Sequence, residues 1–131
     1  MRTKLILAVL AATLLLPVPT ARAQVGCLSR GWGLWVPNGV TYAEGNARAG
    51  KPCQIGLGEK GGIIEVLRIV ERPLHGVLGV AGQEGNRRYV AYVPTTGFVG
   101  HDRFELHIQV IPFGQRASLT TRFRVEMNIT P

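Results

Sequence analysis

The sequence predicts an all-β protein: an antiparallel β-sandwich of about seven strands with an extra N-terminal β-hairpin. Three observations carry this. After Gln24 no stretch repeats its apolar residues with the 3.6-residue period of a helix. Short apolar runs are instead separated by Gly, Pro and Asn, and the 17 glycines fall mostly between those runs, where turns need positive φ. The last two runs alternate apolar and polar residues strictly, the pattern of a sheet with one buried and one solvated face.

Residues 1–23 stand outside that fold. Arg2 and Lys4 precede the apolar run Leu5 to Leu16, whose 12 residues are too few to cross a bilayer comfortably. Pro17-Val18-Pro19 breaks the run, and Ala21-Arg22-Ala23 has the small-x-small form of a cleavage site. A secretory signal peptide cut near Ala23-Gln24 is the expectation, leaving a periplasmic or secreted protein with no membrane span. Acylation at Cys27 is the alternative. Gly26 favours it, but Gln24 stands where a lipoprotein signal wants an aliphatic residue.

Without the leader, 12 basic residues face 8 acidic ones, a formal charge of about +4 against +7 for the whole chain. Only Arg87-Arg88 are adjacent. A nucleic-acid groove wants clustered Lys and Arg interleaved with stacking aromatics, so no nucleic-acid partner is expected. The charge supports only loose attraction to anionic envelope surfaces.

Residues 24–49 read as an N-terminal hairpin segment and residues 50–131 as the sandwich domain. In the first, "LWV" and "VTY" flank Pro37-Asn38-Gly39, a hairpin signal that predicts a small hairpin over residues 32–42. Cys27 and Cys53 are the two cysteines, and in an oxidising compartment an even count points to one disulfide. Closing such a loop contributes about 3 to 4 kcal/mol in the chain-entropy picture. Metal-binding thiols are the other reading, which no Cys-x-x-Cys or nearby His pair supports.

The strands of the second segment follow in order. "KPCQIGLG" puts Cys53, Ile55 and Leu57 on one face. "IIEVLRIVERP" is the longest apolar run and reads as a central strand, stopped by Pro73. "HGVLGV" is a short strand, "GQEGN" a turn, and "RRYVAYVP" a strand with Val90 and Tyr92 on one face. "DRFELHIQV" sets Phe104, Leu106, Ile108 and Val110 against Arg103, Glu105, His107 and Gln109. A turn near "PFGQ" leads into "LTTRFRVEMNI", where Leu119, Thr121, Phe123, Val125, Met127 and Ile129 face inward.

Across "VERPLHGVLGV" and "YVAYVPTTGFVGHDRFELHIQV" stand Pro73, His75 and Gly76, then Tyr92 and Pro94, then Phe98, Gly100, Asp102 and Phe104. In this order and spacing they resemble the bacterial Ig-like and cadherin-like sandwich domains, over about residues 50–130. The resemblance implies a fold, not a reaction. Residue chemistry fits a structural corner: Pro94 ends a strand, Phe98 plugs the sandwich end, Gly100 permits tight backbone, Asp102 caps N–H groups, and Phe104 starts the inward set. Tandem cadherin-like repeats often carry an acidic calcium loop after the first core strand. Here "GLGEKGGII" offers only Glu59, so no calcium site is carried over.

No catalytic residue, cofactor or metal is expected. His75, His101 and His107 are scattered; Ser29 and Ser118, the serines beyond the leader, lie in no Gly-x-Ser-x-Gly elbow. His101 and Asp102 do not become a base and its orienter by being neighbours. What remains is surface. Trp32, Leu34 and Val36 share one face of the expected hairpin and Trp35 takes the other. Trp32, Trp35 and Tyr42 are therefore the candidate binding residues. One tryptophan is expected to pack on the sandwich, with Trp35, together with Tyr42, the expected exposed anchor; the other reading is that both tryptophans pack. The expectation is a non-enzymatic binding or accessory module of the bacterial cell envelope whose partner is a protein or polysaccharide. The alternatives are a structural subunit of a surface assembly, pairing through exposed strand edges, and, last, a small metal-dependent or hydrolytic enzyme.

Overall fold

The computed structural model of the protein describes residues 24–25, 27–30, 35–58 and 62–131. Residues 1–23, Trp32, Leu34, Glu59 and Lys60 lie outside them. Strict alternation in the last two runs yields the longest strands, β8 (Gly100–Ile111) and β9 (Leu119–Thr130), paired antiparallel with Phe104 opposite Val125 and Leu106 opposite Phe123. The chain between them turns at Pro112, where the Gln115 N–H donates to the Pro112 carbonyl at 3.1 Å.

Before these come β1 (Gln24–Val25), β2 (Leu28–Arg30), β3 (Val40–Arg48), β4 (Cys53–Gly58), β5 (Ile63–Glu71), β6 (Gly76–Glu84) and β7 (Arg87–Pro94). No helix occurs among the described residues, and seven of the nine strands, β3 to β9, have six residues or more. One sheet runs β1-β4-β7-β6, the other β2-β3-β9-β8-β5. Their inward faces share one core: Ile55, Leu57, Val90 and Tyr92 from the first meet Phe104, Leu106, Phe123 and Val125 from the second. The molecule is an all-β sandwich.

Four expectations are corrected. The pairing is not wholly antiparallel, because β1 runs parallel to β4 and β3 parallel to β9. The expected hairpin over 32–42 falls partly on residues 32–34, outside the described residues. In the part that is described, residues 35–36 form no strand and the Gly39 N–H turns back to Val36 O at 3.3 Å. Asn38 does take the left-handed turn conformation, with φ 54°. But its N–H donates to Thr120 O at 2.8 Å and the Arg122 N–H donates to Gly39 O at 2.9 Å, so the turn is fastened to β9. The segment 24–49 therefore does not stand apart: β3 lies inside the five-stranded sheet, between β2 and β9.

The long apolar run is not a central strand either. β5 ends its sheet, and register shifts at Ile64/Val66 and Ile69/Glu71 reset its alternation, so Ile63 and Val70 are exposed. A bulge re-aims side chains without ending a strand, which an apolar count cannot register. The same physics extends β6 beyond the short strand expected. Gly82 has φ 156° at a register shift after Val80, and the strand runs on to Glu84 before turning at Gly85-Asn86.

Candidate functional site

The corner around Asp102 is a buried staple. Its side chain lies on the inward face of β8, with the residue 5% exposed. Oδ1 accepts from the Leu74 N–H at 3.1 Å and the Arg103 N–H at 2.9 Å. Oδ2 accepts from the His75 N–H at 3.2 Å and from the Tyr92 hydroxyl at 2.6 Å. One carboxylate thus fixes the crossover from β5 to β6 against β7 and β8. Burial, then the bond to Asp102 and its charge, pushes the Tyr92 hydroxyl well above its ordinary value of 10.0.

The rest of the motif supports that staple. Gly76 leaves room for the Tyr92 ring: a Cβ there would sit 2.6 Å from a ring carbon and 2.7 Å from Val93 O. Pro94 ends β7, buried, with its carbonyl taking the Gly50 N–H. Phe98 stacks on the His75 ring at 3.9 Å, Gly100 has φ 141°, and Phe104 is fully buried against Tyr92 at 5.6 Å.

This geometry bears on chemistry. His75 meets Asp102 through its backbone N–H, while its ring is stacked on Phe98. His101 is exposed on the opposite face of β8 from Asp102. His101 and His107 are six residues apart on one strand, about 20 Å, too far to share a metal ion. A shallow cavity of about 210 Å³ opens beside the staple, between Glu71, Leu74, His101 and Glu126. No group of three metal-ligating side chains occurs among the described residues.

Cys27 and Cys53 are bonded, with 6.0 Å between their Cα atoms. Cys53 opens β4 in one sheet. Cys27 accepts the Asn46 N–H of β3, in the other, at 2.9 Å. The bridge therefore ties the two sheets together. No helix among the described residues is long and apolar enough to cross a membrane.

The aromatic residues sort differently from the expectation. Trp35 is turned inward, half-buried on the core with its ring 5.9 Å from that of Phe123, and Val36 is the exposed neighbour at 45%. The Val36 N–H donates to Thr41 Oγ1 at 3.0 Å, which folds the segment over the ends of β3 and β9 and lays the indole on Phe123. Tyr42 stays in solvent, 57% exposed, on the outer face of the five-stranded sheet, with the Arg124 guanidinium 5.7 Å from its ring centroid.

That outer face is a grid of cross-strand rows. One row runs Tyr42, Arg124, Glu105, Glu71; the next runs Val40, Arg122, His107, Arg68. Alternation places Glu105 in solvent, yet the residue is 4% exposed. Arg124 clamps its Oε2 from Nε and Nη2, both at 2.9 Å, and Arg122 lies 3.6 Å from its Oε1. The clamp holds the Arg124 guanidinium still more firmly protonated than usual. Sequence reasoning missed this covered carboxylate; the available signal was the β8–β9 register, which sets Glu105 directly opposite Arg124.

No family model and no curated protein matches the chain. Among solved structures, it is similar to an endo-fucoidan hydrolase from glycoside hydrolase family 107, at a TM-score of 0.41 and 12% identity, covering 81% of this chain and 15% of that one. The chain thus spans less than a fifth of that protein's length.

Proposed function

We propose that the protein is an exported, non-enzymatic, Ig-like binding module of the bacterial cell envelope, and that its ligand lies on the outer face of the five-stranded sheet. Export is supported by the leader-like residues 1–23 and by the Cys27–Cys53 bridge, which persists in oxidising compartments. The Ig-like reading is supported by strand order. Lettered A to G in chain order, β3 to β9 set B, E and D in one sheet and C, F and G in the other, the grouping of Ig sandwiches, with A (β3) placed beside G instead of beside B.

The observation that carries the binding reading is Tyr42. It is a large ring left in solvent on the outer face of the sheet, beside the Arg124 guanidinium, whereas the corner motif residues are occupied by packing. An exposed ring with a polar rim suits stacking on a sugar or anchoring in a partner. The edge-pairing alternative has less support. β5 and β6 do end their sheets, but Arg88 Nη2 donates to Glu65 O at 3.4 Å and Arg72 Nη1 to Leu78 O at 3.3 Å. Register shifts also distort both strands, and bulges with capped carbonyls blunt an edge against pairing.

Backbone amide mapping by NMR tests the proposal. On titration with solubilised bacterial envelope polysaccharide, the shifted amides are expected on β3, β9 and β8 around Tyr42. Shifts confined to β6 and β7 would overturn it.

A further inference from the structure

We propose that Arg68, His107 and Arg122 form a subsite for the anionic substituents of a glycan chain; this rests on the binding-module reading and adds the ligand's chemistry. β8 sets His107 opposite Arg122 of β9 on one side and Arg68 of β5 on the other. Three nitrogen-bearing side chains therefore stand in one row across three adjacent strands. Strand spacing of about 4.8 Å puts the ends of the row about 10 Å apart.

Neighbouring cations on this face are occupied. Arg124 clamps Glu105, and Arg103 reaches Glu71 from Nη2 at 3.0 Å and from Nε at 3.1 Å. The row differs. Neither Arg68 nor His107 has a side-chain hydrogen bond or ion pair among the described residues, and Arg122 has only the 3.6 Å approach to a carboxylate that Arg124 already holds. The two acidic residues of β5, each three positions from Arg68, are engaged elsewhere: Glu65 accepts from Gln109 Nε2 at 3.0 Å, and Glu71 pairs with Arg103. A guanidinium offers paired N–H donors that match a carboxylate, sulfate or phosphate. Two such forks with an imidazole between them, in one row on an open sheet face, suit an unbranched chain bearing repeated negative charges. Tyr42, in the adjacent row about 7 Å away diagonally, supplies a ring for the sugar itself.

Native affinity electrophoresis of the disulfide-bonded protein through dextran sulfate, polygalacturonate and neutral dextran tests this. The row variant is Arg68→Gln/His107→Gln/Arg122→Gln. The control, Lys51→Gln/Arg116→Gln, removes the same two full charges from exposed sites off the row. The melting midpoint of each is checked first. Both polyanions are expected to retard the native protein. The row variant is expected to weaken that binding about ten-fold or more, and the control less than about two-fold. Retardation by one polyanion alone would identify the substituent and uphold the subsite. Equal losses in the two variants would show attraction to net charge and overturn it. Retardation by neutral dextran alone, lost in Tyr42→Ala, would leave the binding-module reading standing without the anionic subsite. No retardation by any of the three would overturn both.

Discussion

Asp102 accepts from four donors, and three of them belong to other strands or the crossover. Asp102→Ala would leave the Tyr92 hydroxyl and three backbone N–H groups without this partner in a largely buried place. We expect a loss of about 3 to 5 kcal/mol in denaturant melts, well above the cost of an ordinary helix or turn cap. Tyr92→Phe removes one donor and keeps the ring, so about 1 to 2 kcal/mol is expected. Equal costs for the two variants would show that the backbone donors contribute nothing. The raised Tyr92 hydroxyl also has a sign. Because the folded state keeps its proton where the unfolded chain gives it up, this stabilisation is whole below pH 10 and shrinks as the pH rises above it, by at most about 1.4 kcal/mol per pH unit. Tyr92→Phe is expected to flatten that alkaline slope in urea melts taken at successive pH values; an unchanged slope would assign it to other groups. The capping role of Asp102 was legible in the sequence, because a short acidic side chain after Gly-x-x-Gly-x spacing suits a turn. Its Tyr92 partner was not, since only the fold brings together residues ten apart on two strands of different sheets.

At the level of elements, the strands with strict alternation could be read directly, and β7, β8 and β9 fall where the sequence puts them. Where alternation breaks, the reading failed for a definite reason. Hydrophobicity measures what a strand would bury but not how its neighbours are shifted, and β5 carries two such shifts. The candidate site failed in the same way. Trp35 and Val36 changed places because Thr41 captures a backbone N–H, a bond invisible to side-chain periodicity. Glu105 read as solvated because the arginines that cover it come from the neighbouring strand. One element boundary is set by contact rather than pattern: β6 begins at Gly76 under the Tyr92 ring. Gly76→Ala should force the ring or the start of β6 to move and cost about 2 to 4 kcal/mol, as other overpacked sites do. A thermal melt that matches the native protein would mean that the corner has slack.

Over the whole molecule, the disulfide cross-links the two sheets, and it closes a separation of 26 residues. Reduction, or Cys27→Ala/Cys53→Ala, is expected to cost about 3 kcal/mol, measured as a shift in the urea midpoint with the slope nearly kept. A domain of this size commonly has only 5 to 15 kcal/mol in total, so the bridge is a large share. No shift would mean that strand pairing of β1 to β4 and β3 to β9 already restrains the N-terminal segment. On the proposed reading the faces divide the work of the molecule: the inner ones and the corner hold the sandwich, and the outer face of the five-stranded sheet meets the ligand. Retention of Tyr42→Ala on immobilised envelope polysaccharide, counted per folded molecule, tests that division most directly. The account predicts a native melting midpoint with retention reduced about ten-fold, the equivalent of 1.4 kcal/mol of binding. Full retention with a native melt, or a melt that collapses while retention per folded molecule holds, would contradict it.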